Sequence, residues 1–476
     1  MTGTTPNDTE HSLRLALIEA QYALKNSASA SNGRSVLVLV SGIELAGKGE
    51  AVTQLREWAD PRLLKVSAHL PQQQDWQRPF WQPYIADIPE RGELRVLFGN
   101  WHGDLLAARL AGKKQGISAE EFQQQLHDIQ AFEEYLRQEG VTLVKCWFDL
   151  SWKTLQQRLN EIEPSLLKWQ KLHGLDWRDR DEYDKLQALR AQLGTDWVTI
   201  DGEDAGACHL AFAQQILLAL NAPRLPRQVP RQRWQPSVIP PVLQTPDREI
   251  LKKEAYKQQR KQLQAELTQL LRQRGDRPVI VVFEGMDAAG KGGAIRRVVA
   301  QLDPREYQIH CIAAPEAYEQ RHPYLWRFWR RLPERAGMAI FDRSWYGRVL
   351  VERVEQLVSP VDWQRAYTEI NHFERNLTDA GAIVVKFWLS IDSDEQLLRF
   401  QARKDTPHKR FKLTDDDWRN RERWDEYVQA AADLLARTDQ PHAPWVVVAT
   451  NDKYSARLAV LQGLIEHLKQ VLEVKT

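Results

Sequence analysis

Short continuous apolar runs alternate along the chain with longer segments in which apolar residues recur at helical spacing. Two runs rich in β-branched residues, 35–40 and 278–283, each follow a predicted helix, at about 13–24 and about 249–274. Further strands are predicted in the second half of the chain at 307–313, 339–342, 383–389 and 445–449. Continuous apolar strands that alternate with helices are typical of a parallel sheet covered by helices on both faces. We therefore predict an α/β fold.

The sequence contains two related halves. The glycine-rich segment 42–49 recurs as 285–292, which is 243 residues later (42 to 285). Other short strings recur in the same order: 60–62 as 303–305, 89–91 as 333–335, 145–147 as 386–388, and 176–178 as 417–419. A period of this length far exceeds the roughly 20 to 50 residues of solenoid repeats. We therefore predict two fused copies of one domain.

A proline-rich segment separates the two copies. Residues 222–246 contain seven prolines and no acidic residue. Because proline fixes φ and removes a backbone donor, this segment is predicted to be an extended linker. The predicted organisation is a first domain at 1–221, the linker at 222–246 and a second domain at 247–476. The total length of 476 residues fits two or three domains of ordinary size.

The composition excludes several classes of function. The 65 basic and 64 acidic residues nearly cancel, so no global field attracts the chain to nucleic acid or to an anionic membrane. The apolar runs are far shorter than the roughly 18 residues that a membrane helix needs. The polar start lacks the features of a signal peptide, and three widely spaced cysteines fit neither a disulfide framework nor a zinc site. We expect a protein of the reducing cytoplasm, in which any polyanion site is a local basic cluster.

The clearest chemical motif is the glycine-rich segment 285–293, which follows a predicted strand and precedes a predicted helix at 294–301. In that context such a segment is typical of a phosphate loop, in which backbone N–H groups and the helix N-terminus bind phosphate oxygens. The predicted phosphate contacts are Gly285, Ala288, Ala289, Gly290, Gly292 and Gly293. Lys291 is expected to reach a bridging or terminal phosphate. The alternative is a glycine turn with a chance lysine.

One position of this loop departs from the general motif. Gly292 follows Lys291, where most phosphate loops carry the Ser or Thr whose hydroxyl binds magnesium. Two carboxylates are predicted to hold the metal instead: Asp287 inside the loop and Asp342 at the end of a predicted strand. Mg²⁺ is the expected ion, with Mn²⁺ as the alternative. The alternative role for Asp342 is a helix cap.

Two groups of cations accompany these residues. Arg343 and Arg348 follow Asp342 and are predicted to lie where phosphoryl charge develops, with a surface salt bridge as the alternative role of Arg343. The second group comprises Arg399, Arg403, Lys404, Lys409, Arg410 and Lys412, interrupted only by Asp405. Six cations so close together, in a protein of net charge +1, predict a polyanion site on a mobile lid. A solvated helix face is the alternative.

Together these strings resemble the type-2 polyphosphate kinase family, and more closely its fused two-domain members, whose phosphate acceptor is AMP. The resemblance rests on the segments 285–293, 322–327, 341–348, 443–445 and 451–453, and on the basic cluster. It covers essentially the whole second copy and, in weaker form, the first. A phosphate loop with Gly after Lys and an internal Asp is much more specific than a generic phosphate loop.

The resemblance implies two tandem P-loop kinase domains with a thymidylate-kinase-like fold and a helical lid. It also implies magnesium-dependent phosphoryl transfer between inorganic polyphosphate and a nucleotide. In that picture Asp287 and Asp342 organise Mg²⁺ and Lys291 grips phosphates, while Arg343 and the lid cations neutralise the polyphosphate chain. The choice of AMP rather than ADP as acceptor rests on the resemblance alone.

Other hypotheses stay open on the sequence. One is polyphosphate-dependent phosphorylation of ADP or another nucleotide, and a second is an ATP-dependent nucleoside monophosphate kinase. A third, from another class, is a non-catalytic phosphate-binding regulator, against which the intact Asp287, Lys291 and Asp342 argue. Both a monomer and an oligomer are compatible with the sequence.

The first copy departs from the pattern of the second. It carries Glu44 where the second copy has Asp287, and alignment of the two Trp-x-Gly strings places Phe98 at the position of Asp342 and Gly99 at the next. No carboxylate remains there to hold a metal. The lid segment of the first copy has a net charge of +1, against +5 in the second. We predict that the first copy is structural or phosphate-sensing rather than catalytic.

Overall fold

The computed structural model describes residues 6–28, 33–70, 78–111, 116–162, 175–225, 233–333, 336–407, 411 and 413–473 of the chain. They group into two compact units. The first unit comprises 1–75, 80–227 and 315–327, and the second comprises 76–79, 228–314 and 328–476. Each unit thus contains most of one predicted copy.

The first unit is built around a five-stranded parallel sheet. Its strands are β1 (Ser35–Gly42), β2 (Leu64–Ala68), β3 (Leu94–Phe98), β4 (Val141–Asp149) and β5 (Trp197–Asp201). They lie in the order β2-β3-β1-β4-β5, and every neighbouring pair is parallel. The helices are α1 (Pro6–Asn26), α2 (Lys48–Trp58), α3 (Trp101–Leu110), α4 (Ala119–Gln138), α5 (Trp152–Glu161), α6 (Arg180–Arg190) and α7 (Ala205–Asn221).

The second half of the chain repeats this plan. Its strands are β6 (Val279–Gly285), β7 (Tyr307–Cys311), β8 (Met338–Asp342), β9 (Ile383–Ser390) and β10 (Trp445–Ala449), in the order β7-β8-β6-β9-β10. Its helices are α8 (Pro241–Gln244), α9 (Lys253–Gln273), α10 (Lys291–Val298), α11 (Trp326–Trp329), α12 (Val351–Val354), α13 (Pro360–Asp379), α14 (Ser393–Lys404), α15 (Asp415–Glu422), α16 (Trp424–Thr438) and α17 (Lys453–Glu473). The predicted α/β fold, with two tandem parallel sheets flanked by helices, is confirmed.

The central strand β6 positions the motif that follows it. Its side chains are buried almost throughout, as the β-branched run predicts. It lies between β8 and β9, with Phe283 opposite Asp342 on one side and Phe387 on the other. In an open α/β sheet, ligands bind in the crevice at the carboxyl ends of strands where the strand order reverses. The residues after β6 and β8 therefore meet at that crevice.

The helix after β6 begins earlier than predicted. The sequence placed it at 294–301, whereas α10 begins at Lys291 and its last turn continues as a 3₁₀ turn at Val299–Gln301. Gly290, directly before α10, has a φ of +112°, which turns the chain sharply into the helix. The glycines at 292 and 293 therefore lie in the first helical turn, where the Gly293 N–H donates to the carbonyl oxygen of Gly290 at 2.9 Å.

The prediction of an extended linker needs correction. Within that segment α8 forms a short helix with proline at its first position, where the missing N–H breaks no helical hydrogen bond. Upstream, Trp234 stacks on Tyr367 with ring centroids 5.4 Å apart. The described part of the segment is therefore partly helical, and Trp234 contacts α13, while most of its residues stay exposed or half-buried. Residues 226–232 lie outside the described residues.

Each unit buries a lysine against a glutamate. In the second unit, Lys386 on β9 pairs with Glu374 on α13, with Nζ and Oε2 2.7 Å apart. In the first unit, Lys145 on β4 pairs with Glu133 on α4 at 2.8 Å. All four side chains are almost fully buried. Loss of one partner of a buried pair lowers the free energy of unfolding by about 3–5 kcal/mol. Each pair therefore stabilises the contact between a helix and its sheet.

Two further features are the hydropathy of the helices and the state of the cysteines. Within the described ranges, no helix is long and apolar enough to cross a membrane. The three cysteines are free thiols, two of them buried and Cys311 exposed.

Candidate active site

The phosphate loop, residues 285–293, joins the end of β6 to the start of α10. Gly285 has a φ of +139°, and a Cβ at this position would lie 2.1 Å from the carbonyl oxygen of Leu389, so only glycine fits. The Lys291 ammonium donates to two loop carbonyl oxygens, the nearer being that of Gly285 at 2.7 Å. The loop therefore holds a lysine folded back across its own backbone.

Asp287 lies inside the loop and is held by three side chains. Its carboxylate accepts hydrogen bonds from the Arg343 guanidinium at 2.9 Å and from the Asn420 amide at 2.8 Å, and its backbone carbonyl accepts one from Gln396 at 3.1 Å. Burial acts to raise the pKa of Asp287, but the charges of Lys291 and Arg343 and the hydrogen bonds outweigh it and lower the pKa from its ordinary value. Asp287 is therefore an ionised carboxylate at neutral pH.

Asp342 ends β8 beside the loop. A Cβ on Gly292 would lie 3.8 Å from Asp342 Oδ2, so this carboxylate stands next to the position where other phosphate loops carry their hydroxyl. In the part of the chain that the structure describes, no side chain donates to the Asp342 carboxylate or pairs with it. The described residues also contain no cluster of three or more His, Cys, Asp or Glu side chains suited to a metal. One or two carboxylates, completed by phosphate oxygens and water, are the donor set that suits Mg²⁺.

Arg343 occupies a backbone conformation that few side chains adopt. Its φ is +65°, in the left-handed region that favours glycine. The Arg343 N–H donates to the carbonyl oxygen of Phe283 at 3.0 Å, and half of its side chain (51%) stays exposed although its guanidinium pairs with Asp287. Backbone strain of this kind collects at functional sites, where the direction of the side chain matters.

The segment after Arg343 is anchored by two buried carboxylates. Ser344 donates to Glu284 at 2.8 Å, and the Trp345 indole and the Tyr346 hydroxyl both donate to one oxygen of Glu374, at 2.9 and 2.7 Å. The Trp345 and Tyr346 side chains are fully buried. These aromatic rings therefore fix the end of β8 and its loop in place.

Sequence reasoning missed three residues of this site. Glu284 is buried within an otherwise apolar strand, and its burial raises its pKa. A charged residue in such a run is a signal that could have found it. Gln396 and Asn420 carry no local signal, since they reach Asp287 from positions 109 and 133 residues further along the chain.

The structure divides the predicted basic cluster. Arg399 is only 5% exposed, and its guanidinium donates to the loop carbonyl oxygens of Ala288 at 2.8 Å and Ala289 at 3.0 Å. It also donates to the carbonyl oxygen of Asn451 at 2.6 Å and pairs with Glu395 at 2.6 Å. Because its donors contact backbone carbonyl oxygens, this geometry indicates that Arg399 stabilises the loop conformation and does not bind phosphate directly.

The other predicted cations have different surroundings. Arg403 is half-buried and Lys404 is exposed, both in the last turn of α14. Arg348 pairs with Glu352 at 2.7 Å. The predicted ligands Lys409 and Arg410, with Lys412, lie outside the described residues.

The profile of the family described as Polyphosphate kinase 2 (PPK2) matches residues 6–225 and 250–475. The chain belongs to the polyphosphate kinase 2 family. The resemblance inferred from the loop and strand-end motifs is thereby confirmed, and the two matched stretches follow the two copies.

Relatives in this family match the chain over nearly its whole length. An Acinetobacter johnsonii protein named polyphosphate:AMP phosphotransferase is 52% identical over 460 residues, which cover 97% of this chain and 96% of that protein. A Pseudomonas aeruginosa protein of the same name is 43% identical over 471 residues, covering 95% and 93%. A crystal structure from Pseudomonas aeruginosa described as polyphosphate kinase 2 aligns with a TM-score of 0.85 at 39% identity, covering 100% of this chain and 98% of that one.

The two copies of this polyphosphate kinase 2 chain can be matched through strand register. Phe98 lies opposite Val40 as Asp342 lies opposite Phe283, and Val40 and Phe283 each lie two residues before the first loop glycine. Phe98 thus stands at the position of Asp342. The residue after it, Gly99, has a φ of +82°, so the backbone turns alike in both copies although only the second carries a side chain there.

The loop lysine of the first copy has a different partner from that of the second. The Lys48 ammonium pairs with Glu44 at 3.1 Å and donates to two loop carbonyl oxygens. Beside the loop lies a cavity of about 130 Å³ whose lining is mainly apolar and includes Val40, Phe98, Leu106, Leu110, Trp147 and Trp177. The Lys48 charge is thus paired within its own loop, next to a mainly apolar cavity.

Proposed function

We propose that the second copy transfers a phosphoryl group from inorganic polyphosphate to AMP, which yields ADP. The observation that carries this proposal is the Asp342 carboxylate, which lacks a protein partner among the described residues and lies beside a phosphate loop whose own hydroxyl is missing. The names of the relatives support polyphosphate as donor and AMP as acceptor.

The residues present fit a divalent cation, and we assign Mg²⁺, with Mn²⁺ as the alternative. Asp342 is the first ligand in this assignment, because its oxygens have no donor among the described side chains. Asp287 is the second, and each of its carboxylate oxygens keeps a lone pair besides the one that faces Arg343 or Asn420. A bound Mg²⁺ would neutralise charge on the phosphate oxygens and orient the transferred group.

The roles of the other side chains follow from their positions. Lys291 and the N-terminal turn of α10 supply positive charge to phosphate oxygens. The half-exposed Arg343 guanidinium is placed to neutralise charge that develops on the transferred group. Because phosphoryl transfer needs positioning and charge stabilisation more than covalent help from the protein, this set is sufficient.

Polyphosphate binding remains our proposal for four of the predicted lid cations. Arg403 and Lys404 remain our proposed polyphosphate ligands on α14, together with Lys409 and Arg410. For Arg399 we propose that it holds the loop in its binding shape, since its donors are occupied by loop and neighbouring carbonyl oxygens. Arg348 would then act near the transferred group only if it is released from Glu352.

A comparison of donors tests the proposal. The purified protein is supplied with AMP, Mg²⁺ and either polyphosphate or ATP, and ADP formation is measured, with Lys291→Ala as the inactive control. We expect ADP from AMP and polyphosphate, and loss of activity when Mg²⁺ is removed. Activity with ATP but not with polyphosphate would support a nucleoside monophosphate kinase and overturn the proposal. Activity with ADP alone as acceptor would overturn the choice of AMP.

A further inference from the structure

The first unit contains a segment from the second half of the chain. Residues 315–327, which follow β7, group with the first unit and not with the strands that flank them in sequence. The segment includes a 3₁₀ turn at Glu319–Arg321 and the first two residues of α11. The chain enters the second unit again at Phe328 and continues to β8, which ends at Asp342. The first unit therefore holds the connection that leads to the proposed metal-binding strand.

The end of α4 binds two backbone N–H groups of this segment. The Tyr324 N–H donates to Glu139 Oε2 at 3.0 Å. The next N–H, that of Leu325, donates to the Tyr135 hydroxyl at 2.7 Å. Leu325 and Tyr135 are buried and Glu139 is half-buried, and hydrogen bonds away from water are stronger than exposed ones. Two neighbouring side chains of the first copy therefore fix the backbone of the segment at consecutive residues.

Further contacts with the first copy lie on either side of these two hydrogen bonds. The Trp326 indole donates to the carbonyl oxygen of Ile85 at 3.0 Å, and both residues are buried. The Arg321 guanidinium pairs with Glu90 at 2.7 Å, and the Arg321 carbonyl oxygen accepts from the Arg91 N–H at 2.8 Å. The stretch from Arg321 to Trp326 is therefore held by the first copy through backbone and side-chain groups.

The two α4 residues differ from their counterparts in the second copy. The offset of 241 residues between the buried Lys–Glu pairs matches Tyr135 with Asn376 and Glu139 with Ala380. Ala380 has no side-chain acceptor, and asparagine is much shorter than tyrosine. Glu139 is also the C-cap residue of α4, where a carboxylate faces the negative end of the helix dipole. Because this position is unfavourable for the helix itself, it indicates that Glu139 serves the contact with the segment.

The residue after the segment packs against the aromatic rings that flank Asp342. Within the second unit, the centroid of the Phe328 ring lies 6.5 Å from that of Phe341 and 6.0 Å from that of Trp345. All three rings are buried. Phe341 directly precedes Asp342, and Trp345 follows Arg343 by two residues. Because protein interiors are close-packed, a shift of Phe328 displaces the rings on both sides of the proposed metal ligand.

Helix α11 connects the two sets of contacts. It consists of the single turn Trp326–Trp329. Trp326, which donates to Ile85, and Phe328, which packs on Phe341, therefore belong to the same helical turn. A helical turn moves as a unit, because its backbone dihedrals are fixed together. The position of the segment on the first copy thus determines the position of Phe328.

We propose that Tyr135 and Glu139 of the first copy are positioning residues for the reaction of the second copy. They hold the segment 315–327 by its backbone, and the segment in turn holds Phe328 against the rings beside Asp342. This inference rests on the proposed function of the second copy. It assigns the first copy a task that requires no metal and no phosphate of its own.

Amide hydrogen exchange of the full chain, measured without metal or substrate, tests the positioning directly. Tyr135→Phe and Glu139→Ala are made singly and together, and Glu139→Gln is the conservative variant that keeps an acceptor oxygen. Glu120→Ala is the matched control, since Glu120 lies exposed in the first turn of the same helix. In the double variant we expect exchange at 324–325 to rise about tenfold, the scale of a lost hydrogen bond to a charged group, and exchange at 338–345 to rise with it. Glu139→Gln and the control should exchange like the wild type.

The kinetics of ADP formation supply a second readout. In the double variant we expect kcat to fall about tenfold, because a small misplacement of a charge-stabilising group lowers the rate of transfer. The Mg²⁺ concentration that gives half of the maximal rate should rise, since Asp342 is the proposed ligand. Partial unfolding alone would lower kcat and leave that Mg²⁺ concentration unchanged. The midpoint of thermal unfolding is measured on the same preparations.

The remaining outcomes decide the proposal. Faster exchange confined to 324–325, with wild-type exchange at 338–345 and a wild-type Mg²⁺ response, overturns it. If the double variant does not fold, Tyr135→Phe carries the same comparison, because it removes only a hydroxyl group. If exchange rises at both places while the wild type forms no ADP from AMP and polyphosphate, the first copy still positions the strand end and the proposed transfer reaction fails.

Discussion

The two phosphate loops of this chain fold alike and differ in how the loop lysine is neutralised. In the first copy Glu44 is long enough to pair with Lys48 at 3.1 Å. In the second copy the shorter Asp287 pairs with Arg343 instead, and Lys291 contacts only backbone carbonyl oxygens. The pairing of the loop carboxylate therefore differs between the copies, since the first copy has Gly99 where the second has Arg343.

The copies also teach which charges serve the fold. Both keep a buried Lys–Glu pair between the central sheet and a helix, Lys145 with Glu133 and Lys386 with Glu374. By contrast, Phe98 replaces the carboxylate of Asp342 in the first copy. A charge that holds the structure is costly to lose from either copy, whereas a charge that serves only the substrate can be lost from one copy when the other carries out the reaction.

The largest expected effect comes from the loop lysine of the second copy. Lys291→Ala should lower kcat/KM for AMP phosphorylation by at least about 1,000-fold, or about 4 kcal/mol, because the main protein charge at the phosphates is removed. The measurement is the initial rate of ADP formation at matched concentrations of folded protein. A loss of less than tenfold would break the comparison, since the second copy would then not be the catalytic one.

The next effect tests the metal-binding carboxylate. Asp342→Asn should lower kcat by about 100-fold, the scale of one lost charge-stabilising contact, and Asp287→Asn should do the same. The readout is kcat as a function of Mg²⁺ concentration, because loss of a ligand should also shift the metal response to higher concentration.

Asp303→Asn is the control for these variants, since Asp303 forms an exposed pair with Arg305 outside the loop. The control should keep the wild-type metal response. Wild-type activity in both Asp342→Asn and Asp287→Asn would contradict the assignment of the metal ligands.

The fold could be predicted from sequence further than the site could. Continuous apolar strands, the glycine loop and the 243-residue offset are local or repeated patterns, and they led to the tandem parallel sheets. The contact between Asn420 and Asp287 spans 133 residues and depends on how α15 packs, which no local pattern encodes. A charge run does not show which of its members is buried, so the sequence predicts Arg399 as part of the lid. In the structure its guanidinium donates to the carbonyl oxygens of Ala288, Ala289 and Asn451.

A smaller effect is expected at Asn420, where the copies differ in charge. The offset of 241 residues between the two lid strings matches Asn420 with Asp179 in the first copy. Asn420→Asp would place a second carboxylate against Asp287. Asp287 would lose the hydrogen bond from the amide, and the two negative charges would repel each other. We expect kcat to fall about tenfold, or about 1.4 kcal/mol. The matched control is Asp179→Asn, which keeps a helix cap and should leave the rate unchanged; an equal effect of both substitutions would contradict the asymmetry.

The smallest expected effect is at the lysine that a motif search would treat as equal to Lys291. Lys48→Ala should change kcat/KM by less than about tenfold, because the Lys48 ammonium already pairs with Glu44 and donates to loop carbonyl oxygens. The substitution leaves Glu44 without its partner in a half-buried position, so some loss of stability is expected.

The double variant Glu44→Ala with Lys48→Ala removes both charges and separates that structural effect from any catalytic one. Thermal unfolding and the initial rate of ADP formation are measured on the same preparations. If the rate falls as far in either variant as in Lys291→Ala while the protein stays folded, both loops take part in the reaction and the first copy is catalytic after all.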